Sequence, residues 1–402
     1  MKIGIIGGGA SGLACGIFLA REGHEVKILE RGDRVGKKLL ATGNGRCNVS
    51  NVDLSSHHFH SVEGEVFSSI LEEFTGEDTK EFFESLGMDL VEEARGKLYP
   101  ITLNSNTVLN AFREELSRLG VEEITQWKVR EIQKEKKGFR LIGQGELFVD
   151  RVILATGGKT MAKSGSDGNG YGLLETFGHK KSKLFPGICA VQLDSPHLRH
   201  LSGTKVVGEI ELYNGKKKIF SSHGEILLAK DGISGPPVLD LARYVNCGRG
   251  DLFVKFPLLN HLDQRPSNYR EILESRTYLD RSLESFLQGI VSKKWIHVIC
   301  KELNLSPESS VMDLEYEQRQ TVLDLLFGME MKVLGTRDFE SAQVTCGGLR
   351  LEDFDEKTLE SKRVPGIFAI GEVLDVDGDC GGYNLQWAWA SAWACARGME
   401  KN

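Results

Sequence analysis

Gly7, Gly9 and Gly12 stand at the spacing Gly-x-Gly-x-x-Gly, directly after a short apolar run, Ile3 to Ile6, and directly before a helical pattern. This spacing lets a backbone approach a pyrophosphate. The first glycine permits a tight turn, the second brings main chain against the phosphates, and the third lets helix and strand pack closely. Ala10, Ser11 and Gly12 then open the helix with free N–H groups, where the helix dipole also favours an anion. Glu30 ends the next apolar run, placed to accept from ribose hydroxyls, with Arg31 beside it as a further binding candidate. An acidic residue here disfavours a 2′-phosphate, so FAD or NAD fits better than NADP.

Two later strand ends carry the same style. Ala155-Thr156-Gly157-Gly158 and Ile370-Gly371-Glu372 each close an apolar run. Together with the first motif they resemble the strand-end motifs of two-dinucleotide flavoproteins, a combination that selects FAD. Val129 lies where such proteins offer the adenine a backbone contact. Between the first two motifs runs Lys38-Leu39-Leu40-Ala41-Thr42-Gly43-Asn44-Gly45-Arg46-Cys47. Its glycines let backbone pass close to a ligand, and Lys38 and Arg46 suit a neighbouring anion. Its counterpart near the C-terminus holds Asp375, Gly381, Gly382, Tyr383, Asn384 and Leu385. The glycine pair opens a final helix over 385–397, whose N-terminus suits negative charge on a flavin ring edge.

Other chemistry is poorly supplied. His57, His58 and His60 share a polar loop without an evident further ligand, so no metal is expected. Asp375, Asp377 and Asp379 alternate like the start of a calcium loop, but no glutamate completes it. No nucleophile elbow is visible. No second Gly-x-Gly-x-x-Gly follows a strand, so NAD(P)H, if used, must visit transiently. Cys47 and Cys380 lie at opposite ends of the chain and are read as gap fillers rather than a disulfide relay. Trp387, Trp389 and Trp393 are read as helix packing rather than a substrate cage.

The elements that position these residues follow from periodicity. Residues 2–30 read strand, turn, helix, strand, with Gly23 ending the helix. Amphipathic helices are predicted over 79–86 and 107–119, and antiparallel strands over 127–132, 139–142 and 146–149. Past Pro186 the chain turns strand-rich, with a hairpin centred on Asn214-Gly215. It then turns helical and charged, with Leu283, Phe286, Leu287 and Ile290 on one face. Near residue 340 the strand-and-glycine style returns. The expectation is an α/β fold: a Rossmann-like FAD-binding domain of residues 1–187 plus 335–402. It is interrupted by a β-barrel-like insert, 188–260, and a helical part, 261–334, which together set the substrate.

The 402 residues carry 57 acidic and 50 basic side chains, a net charge of −7. That balance disfavours a polyanionic partner, so no nucleic acid is expected. No apolar stretch approaches the ~20 residues of a membrane span. Eight scattered cysteines read as reduced cytoplasmic thiols.

One family gathers these motifs. GKKLLATGNGRCNVSN at 36–51, GKLYP at 96–100, ATGG at 155–158 and GSDGNGY at 165–171 match it in order. So do SGPPVL at 234–239, VTCGGL at 344–349 and ESKRVPGIFAIGEVLDVDGDCGGYNLQWA at 360–388. By these the chain resembles the YhiN/BaiN-type FAD-dependent oxidoreductases of bacteria. The resemblance implies tight FAD binding and redox chemistry on a small organic substrate, commonly with NAD(P)H as donor. The alternatives are an oxidase passing electrons to oxygen and an RNA-associated flavoprotein. Two departures stand out. The family's Gly-Ser-Thr-Gly-Asp-Gly-Tyr is here Gly165-Ser166-Asp167-Gly168-Asn169-Gly170-Tyr171, and its Phe-Thr-His is here Leu228-Ala229-Lys230.

Overall fold

The computed structural model describes residues 1–248 and 250–400. The chain divides into two compact units, one of residues 1–185 with 339–402 and one of residues 186–338.

The first unit is built on a five-stranded parallel sheet. Its strands are β1 (Lys2–Ile6), β2 (Glu25–Leu29), β3 (Glu122–Ile124), β4 (Arg151–Leu154) and β5 (Ile367–Ala369), in the order β5-β4-β1-β2-β3. The central strands are unbroken apolar runs because both faces of a parallel sheet are covered. Ile3, Ile5, Val152, Ile153 and Leu154 are all fully buried, each side chain contributing about 1.5–3 kcal/mol.

Helix α1 (Ala10–Arg21) crosses from β1 to β2, and Gly23, at φ +81°, follows its end as expected. A Cβ on Gly16 would come 2.9 Å from Ile28, so this glycine sets how closely α1 lies on the sheet. Helix α2 (Ser105–Arg118) is capped by the Asn104 side chain and packs Val108, Phe112 and Leu116 inward. Helix α3 (Tyr383–Glu400) ends the chain, two residues longer at its start than expected. Trp387, Trp389, Ala390, Ala392 and Cys395 on it are all buried, as befits a helix enclosed in a core rather than amphipathic. The tryptophans are thus packing residues.

A meander of Glu131–Lys134, Phe139–Ile142 and Glu146–Val149 flanks the sheet. Its first strand starts four residues later than predicted. The backbone of Trp127 instead donates to the Glu30 carbonyl, at 2.9 Å, and that of Arg130 to Ile142.

The second unit holds a closed six-stranded barrel. Its long hairpin pairs Lys205–Asn214 with Lys217–Ala229. Asn214 is itself paired with Lys217, so the two loop residues are Gly215 and Lys216, one position beyond the predicted turn. Gly215 supplies the positive φ of +57°. The barrel's last strand, Met329–Thr336, comes from beyond the helical stretch and pairs with both Val191–Asp194 and Leu252–Phe256. Met329, Met331 and Val333 alternate inward along it. The helix starting at Leu283 stops at Gln288, so Leu283, Phe286 and Leu287 face the core from it while Ile290 lies beyond its end. Lys230 is exposed in a tight turn between two barrel strands.

Candidate cofactor and active site

Ala369, Leu154, Ile6 and Leu29 stand side by side across four adjacent parallel strands. Each is the last residue of its strand, so the four motifs emerge together at one carboxyl edge. Ile370 N donates to Leu154 O, Ala155 N to Ile6 O and Gly7 N to Leu29 O, at 2.8–3.0 Å. This edge is where open α/β sheets bind ligands.

The turn after β1 is shaped by sterics. Gly7 has φ +111°, and a Cβ there would lie 2.4 Å from the Ala155 carbonyl; one on Gly12 would lie 2.0 Å from the Gly7 carbonyl. A Cβ on Gly9, by contrast, would meet nothing within 4 Å. Gly9 is the N-cap of α1, with no side chain capping the helix, so Ala10, Ser11 and Gly12 present its amide end. Glu30 follows β2. Its carboxylate accepts from Gly8 N at 3.0 Å and Gly32 N at 2.6 Å, which locks it against the turn with a lone pair to spare on each oxygen. The hydroxyls of Thr156 and Ser166, in the segments that follow β4, are buried and unpartnered. An uncapped helix end, open space over Gly9, a fixed carboxylate and orphaned hydroxyls together suit the diphosphate and ribose of FAD.

The departure at Asp167 has a structural partner. Asp167 pairs with Arg31. Burial pulls its carboxyl upward, but the Arg31 guanidinium and the Asn169 N–H outweigh this and hold it below the usual range. Arg31 is thereby committed to a neighbouring loop. Val129 is buried in the segment held to Glu30 through Trp127.

The loop after Ala41 runs left-handed, with φ of +56°, +57° and +83° at Gly43, Asn44 and Gly45 and +60° at Cys47. Thr42 Oγ1 caps it onto Leu39 O at 2.6 Å. Arg46 turns its fork to the Glu93 carboxylate, at 2.9 Å, and lies over the Tyr99 ring, so its charge is met by a protein carboxylate. Burial pushes the Cys47 thiol up to about 12, against a contact with Thr42 that lowers it.

A network absent from the sequence reading ties together segments that follow β2, β4 and β5. Lys38 Nζ lies 2.6 Å from Glu372 Oε2 and 2.9 Å from Thr160 Oγ1. Glu372 Oε1 accepts from Thr345 N at 2.9 Å, and Thr345 Oγ1 accepts from Lys159 N at 2.7 Å. The signal for it was the VTCGGL match, which contains Thr345.

The C-terminal segment is held from several directions. Asp375 is fully buried and accepts from Val62 N and Glu63 N, so its carboxylate fastens a loop. Asn384 bridges back to both the N–H and the carbonyl of Gly378. Gly382, at φ +104°, passes so close to Ser50 that a Cβ would come 2.3 Å from its carbonyl. Asp379 binds His60 Nε2 at 2.8 Å and His58 Nδ1 at 2.9 Å, and His58 stacks on Tyr383 with centroids 4.3 Å apart. Burial raises the Asp379 carboxyl, but the hydrogen bonds from His60 and His58 bring it below the usual range.

Comparison with known proteins agrees with this architecture. The family described as HI0933-like protein Rossmann domain matches residues 1–398. A 3-dehydro-bile acid delta(4,6)-reductase of Clostridium scindens is 33% identical over 98% of both chains. A ribosomal RNA dihydrouridine synthase of Escherichia coli is 30% identical over 98% of this chain and 97% of its own. Among solved structures, a 3-ketosteroid-delta4-(5alpha)-dehydrogenase of Rhodococcus jostii aligns over 98% of this chain and 97% of its own, with 15% identity and a TM-score of 0.49. Among the described residues no helix is long and apolar enough to cross a membrane. Matched over nearly its whole length, the chain belongs to the HI0933-like family of FAD-dependent oxidoreductases with a Rossmann domain.

Proposed function

We propose that this protein is an FAD-dependent reductase that saturates a carbon–carbon double bond conjugated to a carbonyl in a small organic molecule, with NAD(P)H as a transient donor. One observation carries the reading. Relatives that match at full length are named for a 3-dehydro-bile acid delta(4,6)-reductase and, in two bacteria, a ribosomal RNA dihydrouridine synthase. Both names denote hydrogenation of a double bond that can conjugate with a ring carbonyl.

FAD supplies the hydride chemistry when bound. The Gly7–Gly12 turn and the α1 amide end would hold its diphosphate, Glu30 its ribose, and the backbone near Val129 its adenine. The 42–47 loop and the 381–385 segment would border the ring. The N-terminus of α3, an 18-residue helix, would favour negative charge on a ring edge bound against it. The Lys38–Glu372–Thr345 network fixes the strand ends from which these groups project.

A uracil in RNA is the second reading, favoured by the 30% identity to the Escherichia coli relative; the net charge of −7 weighs against it. Anaerobic incubation with NADH or NADPH and either a 3-oxo-4,6-diene steroid or a uracil-containing RNA separates them. Hydrogenated steroid by mass spectrometry supports the first reading, and dihydrouridine in the RNA supports the second. Hydrogen peroxide as the sole product under air would replace both with an oxidase.

A further inference from the structure

We propose that Asp53, His57 and His58 form a binding site for a divalent transition metal, with Zn²⁺ the ion whose chemistry it suits. The three residues offer ligand atoms that all lie within 4.8 Å of one another. His58 Nε2 and Asp53 Oδ2 are 3.4 Å apart. That is long for a hydrogen bond but equals the edge of a tetrahedron with bonds of about 2.0–2.1 Å, which is close to 3.4 Å. The His57 and His58 rings are 4.0 Å apart, and His57 is exposed, so a small rotation brings its nitrogen to the same centre.

The surroundings orient these ligands. His58 Nδ1 meets Asp379 Oδ2 at 2.9 Å, and the other oxygen of Asp379 is held by His60 at 2.8 Å. His58 thus has one ring nitrogen on the Asp379 carboxylate and the other, Nε2, facing Asp53 Oδ2, so an ion ligated by Nε2 and Oδ2 would have Asp379 as the outer partner of His58. Carboxylate–histidine–metal triads are built this way. Asp53 is fixed as well: its Oδ1 accepts from Ser55 N at 3.0 Å, leaving Oδ2 for the site. Two imidazoles and one carboxylate, with water completing the shell, match the borderline preference of Zn²⁺. The histidines looked under-supplied in sequence because the third ligand, Asp53, enters from the start of the same loop and the supporting carboxylate from the far end of the chain.

The site also bears on the C-terminal segment. Asp379 N donates to His58 O at 3.0 Å, and Phe59 and His60 pair with Gly378 and Asp377. A bound ion therefore braces the 53–60 loop against residues 377–383.

The test is titration of metal-stripped full-length protein with Zn²⁺ against a chromophoric chelator. One equivalent is expected to bind, with an affinity that falls at least about tenfold in Asp53→Asn and in His57→Ala. Asp379→Asn is expected to cost about 10–100-fold, as outer partners of metal-bound histidines do. Both Asp53 and His57 are exposed, and circular dichroism of the metal-free variants checks that they fold. Loading with Co²⁺ distinguishes ligand types: a spectrum without thiolate charge-transfer bands is expected. The absence of saturable one-equivalent binding, equal affinity in the Asp53→Asn/His57→Ala double variant, or a thiolate spectrum each overturns the proposal.

Discussion

The side-chain amide of Asn51 donates to the carbonyl oxygen of Gly381 at 3.0 Å, joining positions 330 residues apart in the chain. The same two segments meet again nearby. Ser50 Oγ lies 2.7 Å from Gln386 Oε1, and the Trp389 indole donates to Val49 O at 2.9 Å. Trp387 reaches the other way, to Gly371 O at 3.2 Å. Helix α3 thus fastens the glycine-rich loop that follows residue 41 and the strand end at 371 through buried hydrogen bonds, each costing about 1–3 kcal/mol if its partner is left unpaired. Neither segment is positioned by its own local structure alone.

The three glycines of the first turn should fail differently. Gly7→Ala and Gly12→Ala place a methyl within 2.0–2.4 Å of backbone oxygen, and each is expected to lower stability as well as cofactor content. Gly9→Ala meets no protein atom within 4 Å. It is expected to keep the wild-type melting temperature of the apoprotein while losing FAD affinity. Thermal melts of apoprotein beside FAD fluorescence titrations read both effects.

Glu30→Ala should weaken FAD by about 1–3 kcal/mol, the range for hydrogen bonds to a charged group. Part of that loss comes from freeing Gly8 N and Gly32 N, which the carboxylate holds. Glu30→Gln keeps one acceptor oxygen and should fall between wild type and Glu30→Ala in the same titration.

Cys47 is fully buried, with its thiol raised to about 12, and the cation next to it in sequence, Arg46, faces Glu93. It lacks the exposed, electropositive setting of a reactive cysteine. Cys47→Ser and Cys380→Ser, singly or together, are expected to keep most NAD(P)H-driven flavin reduction in stopped flow. A gain of two free thiols on reduction of the wild type, with turnover lost in either variant, would establish a relay instead.

His179 is buried, and burial lowers its pKa below the usual 6.5. Its Nδ1 lies 3.2 Å from Leu174 O and its Nε2 2.9 Å from Ser361 Oγ, partners that suit the neutral ring. A base with a depressed folded pKa stabilises fully above its unfolded pKa, and that contribution is lost as pH falls toward the folded pKa, because the unfolded chain then binds more protons. Stability should therefore decline as pH falls below the unfolded value of about 6.5, and His179→Gln should show a shallower decline in denaturant melts over the same fall in pH.

The β1–α1–β2 unit was readable because buried parallel strands and a glycine turn leave a dense local signal. Residues 127–130 were not, since an alternating pattern does not reveal that Trp127 N bonds to the Glu30 carbonyl. The same limit governs the site. Lys38 and Glu372 could be named singly, but their meeting with Thr345 depends on segments far apart in the chain converging. Asp375 and Arg46 have residue types that suit a ligand, yet tertiary contacts give their charges to Val62 and Glu63 N–H groups and to Glu93. Local chemistry marks candidates, and long-range packing decides which of them stay free.

Protein-bound FAD, on this account, reduces a conjugated double bond. The most direct measurement is anaerobic reoxidation of the dithionite-reduced holoprotein by a 3-oxo-4,6-diene steroid, followed in the flavin absorbance and by product mass. The proposal predicts rapid return of the oxidised flavin spectrum with one hydrogenated product per flavin. A flavin that stays reduced with conjugated carbonyl compounds and with uracil-containing RNA, yet reoxidises at once when oxygen is admitted, would contradict it.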